Sequence, residues 1–150
     1  QVWEARVAGA SAVLLIVAAL DEPTLALLHA EAQAAGLDVL VEIHDASEAA
    51  AAKRIDARIV GVNARDLRTF ELDRDGFARL RTHLDDDVIA VSESGVRDAA
   101  DVRRAAMDGA DAVLVGESLV TAADPQAAVA GLVAAGVGPP APGTSAGSDV

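Results

Sequence analysis

Short apolar runs alternate along the chain with longer stretches in which apolar positions recur at helical spacing. A short, continuously apolar run is typical of a strand that is buried on both faces of a parallel sheet. Strands that alternate with helices predict such a sheet, covered by the helices between its strands. The predicted strands are Ala12–Val17, Asp38–Ile43, Arg58–Val62, Val88–Val91 and Ala112–Val115.

The ends of the helical stretches carry suitable capping residues. Ser47 and Asp98 are able to open helices, because their side-chain oxygens accept hydrogen bonds from first-turn N–H groups. Gly36 and Gly109 are able to end helices, since glycine readily adopts the left-handed C-cap conformation. The predicted helices are Val2–Ala8, Glu22–Ala35, Ser47–Ile55, Asp73–His83, Asp98–Asp108 and Pro125–Ala135.

Both ends of the chain are unusual for a complete domain. The first residue is Gln1, and the chain opens within a helical pattern, which suggests a piece of a longer chain. Residues 136–150 are rich in Gly, Pro, Ala and Ser and have no apolar period. We therefore predict one domain over residues 1–135 and a disordered tail over residues 136–150.

Five strands fit two folds, and the residues that follow the strands favour one of them. A flavodoxin-like open sheet places its ligand groups at a switch point, whereas a (β/α)8 barrel collects them from many strand ends at one mouth. Here polar groups follow nearly every strand, so we predict an α/β TIM-barrel-type fold with five of its eight βα units. These groups are Glu42 and His44, Asn63 and Arg65, Ser92 to Gly95, and Gly116 to Ser118.

Composition excludes several classes of function. The chain has no cysteine, which rules out disulfides, thiol nucleophiles and Cys-ligated metals. No two histidines have metal-ligand spacing, so we predict no metal site. The formal net charge of −12 predicts repulsion from nucleic acid and from acidic membranes. The longest apolar run, Ala12–Leu20, is too short to span a bilayer, and we expect a cytoplasmic protein.

Glu42 and His44 lie at the end of the second predicted strand. An ionised carboxylate within an apolar strand is costly to bury alone, so Glu42 is either paired with an arginine from a neighbouring strand end or functional. A functional Glu42 would suit proton transfer. His44 lies on the same face of the strand as Glu42, and it is either at the rim of a site or simply a polar residue that ends the strand.

Asn63 and Arg65 follow the third predicted strand. The amide of Asn63 offers a donor and an acceptor to a polar ligand, although a capped loop also explains it. Arg65 is suited to an anionic group of a substrate or to a carboxylate at a strand end.

Two glycine-containing loops end the fourth and fifth predicted strands, with sequences Ser-Glu-Ser-Gly and Val-Gly-Glu-Ser. Gly95 and Gly116 allow close approach of backbone N–H groups, which is how phosphate is held at the last two strands of a parallel barrel. Ser94 is able to bond a substrate hydroxyl, while Glu93 is expected to point away from the barrel axis or to pair locally. We predict a phosphate-bearing ligand, with ordinary turn chemistry as the alternative.

Five motifs in this order resemble the indole-3-glycerol phosphate synthases of tryptophan biosynthesis, over Gln1 to about Ala135. The resemblance implies a (β/α)8 barrel that needs no cofactor. It would close, decarboxylate and dehydrate 1-(2-carboxyphenylamino)-1-deoxyribulose 5-phosphate. The motifs are Ala12 to Ile16, Val41 to His44, Gly61 to Leu67, Ser92 to Gly95 and Gly116 to Leu119.

The resemblance also implies roles for individual residues. Glu42 matches the catalytic carboxylate, usually assigned as a general base, and Asn63 and Ser94 match residues that orient the substrate. The implied phosphate-binding residues, through their backbone amides, are Gly95, Gly116 and Glu117. The implied neighbours of the substrate's aromatic ring are Leu14, Ile16 and Leu67.

One departure from the family pattern concerns lysine. The family also uses a Glu and a Lys after its first strand and a Lys general acid on its third, and those strands would precede Gln1. The single lysine, Lys53, lies in a predicted helix. We therefore expect the chain alone to be inactive, with its open first strand covered by a missing N-terminal segment or by self-association.

Two alternatives remain at this point. One is another phosphate-sugar barrel, such as an isomerase of tryptophan or histidine biosynthesis or a thiazole-forming synthase, against which the Glu42 and Asn63 motifs argue. The other is a non-catalytic phosphate-binding half-barrel that dimerises.

Overall fold

The computed structural model describes residues 1–65 and 71–136, and its five strands lie side by side in the order of the sequence. Every neighbouring pair is parallel. A doubly wound sheet reverses direction at a switch point, whereas a barrel adds each strand on the same side. The predicted partial TIM-type barrel is therefore confirmed. The strands are β1 (Ala12–Ile16), β2 (Asp38–Ile43), β3 (Ile59–Asn63), β4 (Ile89–Glu93) and β5 (Ala112–Leu114).

Helices occupy the intervals between the strands, largely as predicted. The fourth is shorter than expected, a short sixth helix was not expected, and the last extends to Gly136, the first residue of the predicted tail. The rest of that tail lies outside the described residues. No helix in residues 1–65 and 71–136 is long and apolar enough to cross a membrane. The helices are α1 (Val2–Val7), α2 (Glu22–Ala34), α3 (Ala46–Arg54), α4 (Gly76–Arg81), α5 (Ala99–Met107), α6 (Glu117–Val120) and α7 (Pro125–Gly136).

Helix α3 begins one residue before the predicted start, because Asp45 caps it instead of Ser47. The Asp45 carboxylate accepts hydrogen bonds from the backbone N–H groups of Ser47 (2.8 Å) and Glu48 (2.9 Å). The Ser47 hydroxyl also donates to Asp45, at 2.7 Å. A carboxylate at this position satisfies first-turn donors and complements the positive end of the helix.

The hydrophobic core lies between the sheet and its helices. Side chains alternate along a strand, so each strand has an outer face toward the helices and an inner face on the opposite side. Val41, Ile43, Val60 and Val62 on the outer face are almost wholly buried, as is Leu25 of α2. Right-handed crossovers between consecutive parallel strands place all the connecting helices on that one side.

The inner face of the sheet is much less covered than the outer face. Leu14 is 49% exposed, Ile89 48% and Leu114 50%. Strands β1 and β5 are the two ends of the described sheet, so each has an edge without a neighbouring strand. In an eight-stranded barrel this inner face is the filled interior.

Candidate active site

Glu42, Asn63 and Ser94, the three predicted catalytic residues, form a continuous row of hydrogen bonds. Asn63 Nδ2 donates to Glu42 Oε1 at 3.1 Å, and the Ser94 hydroxyl donates to Asn63 Oδ1 at 2.7 Å. The backbone N–H of Arg65 donates to the same Asn63 oxygen at 3.0 Å. The orientation of the amide is therefore determined by its partners, with its donor toward the carboxylate and its acceptor toward two donors.

The register of the sheet explains why these side chains meet. Glu42 of β2 pairs with Gly61 of β3, and Asn63 lies two residues further along β3, hence on the same face. Ser94 follows β4 with a left-handed backbone, at φ 63°. That conformation breaks the strand alternation, and the Ser94 hydroxyl lies on the Asn63 side.

Glu42 is buried, with 5% of its surface exposed. Its polar neighbours include Asn63 and His44, whose Nε2 is 3.3 Å from Glu42 Oε1. Within the described parts of the chain, no arginine forms an ion pair with Glu42. Instead, His44 lies directly beside the carboxylate.

Glu93 lies on the inner face, and the expectation that it points away from the barrel axis is wrong. It pairs in register with Asn63, because β4 continues through Glu93 and does not end at Val91. Gly61 provides the space: a Cβ added there would lie 1.8 Å from Glu93 Oε1. A hint was present in the sequence, since a glycine within an apolar strand often marks a close approach.

Glu93 and Glu42 place two carboxyl groups in one buried space. Burial, followed by the hydrogen bond and the negative charge of Glu42, raises the pKa of Glu93 to about 8. Glu93 is therefore largely protonated at neutral pH, next to the Glu42 carboxyl group. No group of three or more His, Asp or Glu side chains within residues 1–65 and 71–136 is arranged to hold a metal ion.

Two of the three predicted ring-contacting residues lie on the inner face beside Glu42. Ile16 of β1 pairs in register with Glu42, and Leu14 pairs with Leu40. An apolar strand next to a polar row provides a surface for a flat apolar group. The third, Leu67, lies outside the described residues.

The predicted phosphate-binding residues line one cavity of about 560 Å³ with Arg65 and Ser94. Gly95 follows β4, Gly116 follows β5, and both border this cavity together with Glu117. Arg65 Nη2 lies 3.5 Å from Glu117 Oε2, which brings the ends of β3 and β5 together. Both loops therefore open to the same space, at the carboxyl ends of the strands.

The backbone of the two loops suits close approach by an anion. Gly95 has φ +76°, and a Cβ there would lie 2.9 Å from a methyl carbon of Leu72. A Cβ on Gly116 would meet nothing within 4 Å, so that backbone borders open space. The N–H groups of Glu117 and Ser118, the first two residues of α6, have no acceptor within the helix, whereas those of Leu119 and Val120 donate to the Gly116 carbonyl.

Comparison with solved structures supports the barrel fold. The chain is similar to a 3-hexulose-6-phosphate synthase from Salmonella typhimurium, with TM-score 0.74 and 20% identity, over 89% of this chain and 66% of that one. It is also similar to a thiamine phosphate pyrophosphorylase from Pyrococcus furiosus, with TM-score 0.72 and 17% identity, over 90% and 63%. At these identities the likeness concerns the fold alone.

Comparison with sequences is more specific. The chain is 53% identical over 142 residues to the indole-3-glycerol phosphate synthase of Mycolicibacterium vanbaalenii. It is 52% identical over 139 residues to indole-3-glycerol phosphate synthase 1 of Streptomyces coelicolor. These matches cover 95% and 93% of the chain but 52% of each relative, so the chain spans about half the length of the curated relatives it matches. Residues 1–132 match the family model of indole-3-glycerol phosphate synthase, and the chain belongs to that family.

Proposed function

We propose that this chain supplies the base, the orienting groups and the phosphate site of a lyase that forms indole-3-glycerol phosphate in tryptophan biosynthesis. The substrate is 1-(2-carboxyphenylamino)-1-deoxyribulose 5-phosphate, and the reaction is a ring closure with loss of CO2 and water, which makes the enzyme a carboxy-lyase. The observation that carries the proposal is the hydrogen-bonded row Glu42–Asn63–Ser94 beside the glycine-lined cavity.

In this proposal Glu42 accepts a proton from the substrate. Its carboxylate is buried and held by the Asn63 amide, so it is positioned without the reorganisation that a solvated acid requires. Glu93 is the protonated neighbour and keeps the pair from carrying two negative charges. Asn63 and Ser94 orient the polar groups of the sugar chain.

The remaining predicted residues bind the two ends of the substrate. The backbone N–H groups of Gly95, Gly116 and Glu117 hold the phosphate, and Arg65 pairs with an anionic group of the substrate once its contact with Glu117 is exchanged. Leu14 and Ile16 contact the aromatic ring. No cofactor is required for this chemistry.

The other half of the site would come from the part of the relatives that this chain does not match, about half of their length. That part would supply a lysine as general acid and would cover the inner face of the sheet. The 150-residue chain is then inactive alone and active when joined to the unmatched segment of the M. vanbaalenii relative. We refer to this joined protein as the completed barrel.

The test is a steady-state assay of the completed barrel and of its Glu42→Gln variant. We expect Glu42→Gln to lower kcat by about a hundredfold or more, the usual contribution of a general base. Glu4→Gln, which alters an exposed carboxylate of α1, serves as the matched control and should retain full activity. Wild-type activity in Glu42→Gln would refute the assignment of the base.

A further inference from the structure

His44 lies between two carboxylates that belong to different elements. Its Nε2 is 3.3 Å from Glu42 Oε1, and its Nδ1 is 3.2 Å from Glu48 Oε2 in the first turn of α3. The backbone N–H of His44 donates to the same Glu48 oxygen at 2.7 Å. The three side chains form a row from the inner face of the sheet to the N-terminal end of α3.

This row is largely shielded from water. The side chain of Glu42 is 6% exposed, and those of His44 and Glu48 are each 15% exposed. His44 Nε2 is buried and has no hydrogen bond that meets ordinary geometry, although Glu42 Oε1 is its neighbour. A buried polar atom without a partner is unusual in a folded protein and calls for an explanation, of which a catalytic role is one.

The chemistry of Glu48 determines where the imidazole carries its proton. An ionised carboxylate only accepts hydrogen bonds. Nδ1 meets Glu48 at hydrogen-bond geometry whereas Nε2 makes no such bond, so we assign the proton of the ring to Nδ1. In the neutral ring Nε2 is then bare and faces Glu42. A proton that arrives on Glu42 therefore has an acceptor within reach on the side away from Asn63.

Other charged groups surround the row. Asp45 precedes α3, and its pKa is lowered chiefly by its hydrogen bonds to Ser47 and Glu48, with a smaller effect from His44. A cavity of about 420 Å³ borders His44 and Asn63 and contains further charged groups from the loop before α4 and from α4. Those groups are Glu71, Asp73 and Arg79, with Arg79 paired to Asp73 at 2.6 Å; Glu93 lies beyond Glu42.

We propose that His44 is a positioning residue that holds Glu42 and returns its proton to water, an inference that rests on the proposed role of Glu42 as base. The proton that Glu42 takes from the substrate passes to Nε2 and forms an imidazolium between two carboxylates. The imidazolium then loses its Nδ1 proton through Glu48 to water. The neutral ring is then in its Nε2–H tautomer. Tautomer exchange moves the proton from Nε2 to Nδ1 and restores the starting state, with Glu42 ionised.

The first test does not depend on activity and uses the 150-residue chain. Imidazole ¹⁵N–¹H correlation spectra should show the Nδ1–H tautomer for His44, and Glu48→Ala should move its two nitrogen shifts toward a mixture of tautomers. The exposed His83 provides the internal control, since its signals should be the same in both proteins. Unchanged His44 shifts in Glu48→Ala would overturn the inference.

The second test uses kinetics of the completed barrel. His44→Gln and His44→Asn keep a hydrogen-bonding side chain but cannot carry the proton, so kcat should fall about tenfold or more and its pH profile should change, with KM altered less than about twofold. His83→Gln is the matched control and should behave as wild type. Inactivity of Glu42→Gln with unaffected His44 variants would refute this inference alone, whereas an active Glu42→Gln would refute the proposed function itself.

Discussion

The carboxyl group of Glu93 occupies space that Gly61 leaves open on the neighbouring strand. No larger residue fits there without displacing that carboxyl from Glu42. The arrangement costs stability, because a buried acid next to another acid favours its neutral form. In the proposed function this cost has a use, since a Glu93 that stays protonated near neutral pH keeps the buried pair from carrying two negative charges.

This cost predicts a pH dependence of stability. The pKa of Glu93 is about 8 in the folded chain and near 4.5 in the unfolded chain, so between these values the folded state holds a proton that the unfolded state has lost. The free energy of unfolding therefore falls as pH rises through this window, by at most about 1.4 kcal/mol per pH unit for this one group. The Glu93→Gln variant should lack this dependence of the free energy of unfolding on pH. Urea denaturation between pH 5 and 8 measures it.

The exposed Glu4→Gln variant provides the comparison and should keep the wild-type slope. If Glu93→Gln also kept it, Glu93 would not hold the extra proton in the folded state.

Among the elements, α5 supports the loop that carries Ser94 and Gly95. The loop leads directly into Asp98, which caps α5 by accepting hydrogen bonds from the backbone N–H groups of Ala100 (2.8 Å) and Asp101 (3.1 Å). Val102 and Ala105 of α5 are buried, so the helix is attached to the core while its N-terminal end adjoins the glycine loop. The cap therefore connects stability of the helix to the shape of the proposed phosphate site.

Removal of this cap should have a measurable cost. Asp98→Ala should lower the free energy of unfolding by about 1 kcal/mol, because two first-turn donors lose their acceptor. Asp108→Ala, at the other end of the same helix, should change it by less than about 0.5 kcal/mol. Equal losses in the two variants, measured by urea denaturation, would contradict a specific role for the cap.

At the scale of the whole molecule, one face of the sheet is covered and the other is partly exposed. The outer face is buried under helices, whereas the inner face exposes Leu14, Ile89 and Leu114 by about half. Apolar surface of this kind, bordered by two strand edges, favours association with another chain or segment.

The isolated chain should therefore self-associate at micromolar concentration. A double variant, Ile89→Ser with Leu114→Ser, should reduce this association in sedimentation velocity, because it removes apolar surface from the inner face. Met107→Ser is the matched control, since Met107 is also exposed but lies on α5. Equal association of the double variant and the control would show that the inner face is not the contact.

Much of the fold was predictable because its signals are local. The apolar run of β2 and the cap Asp98 were placed correctly, since periodicity and capping depend on a few neighbouring residues. The ends of the strands were predicted less accurately. Strand β4 continues through Ser92 and Glu93, because its pairing with β3 continues where polar residues interrupt the apolar run. Helix α6, with four residues, was too short to show a period.

Local chemistry along the chain was enough to specify a parallel α/β fold, the polar strand ends and the two glycine loops, because each depends on residues close together in sequence. Which side chains meet depended on register, alternation and one left-handed residue, and these arise only when distant strands pair. That is why Glu93 joined Glu42 across Gly61, and why His44 came to lie between Glu42 and Glu48.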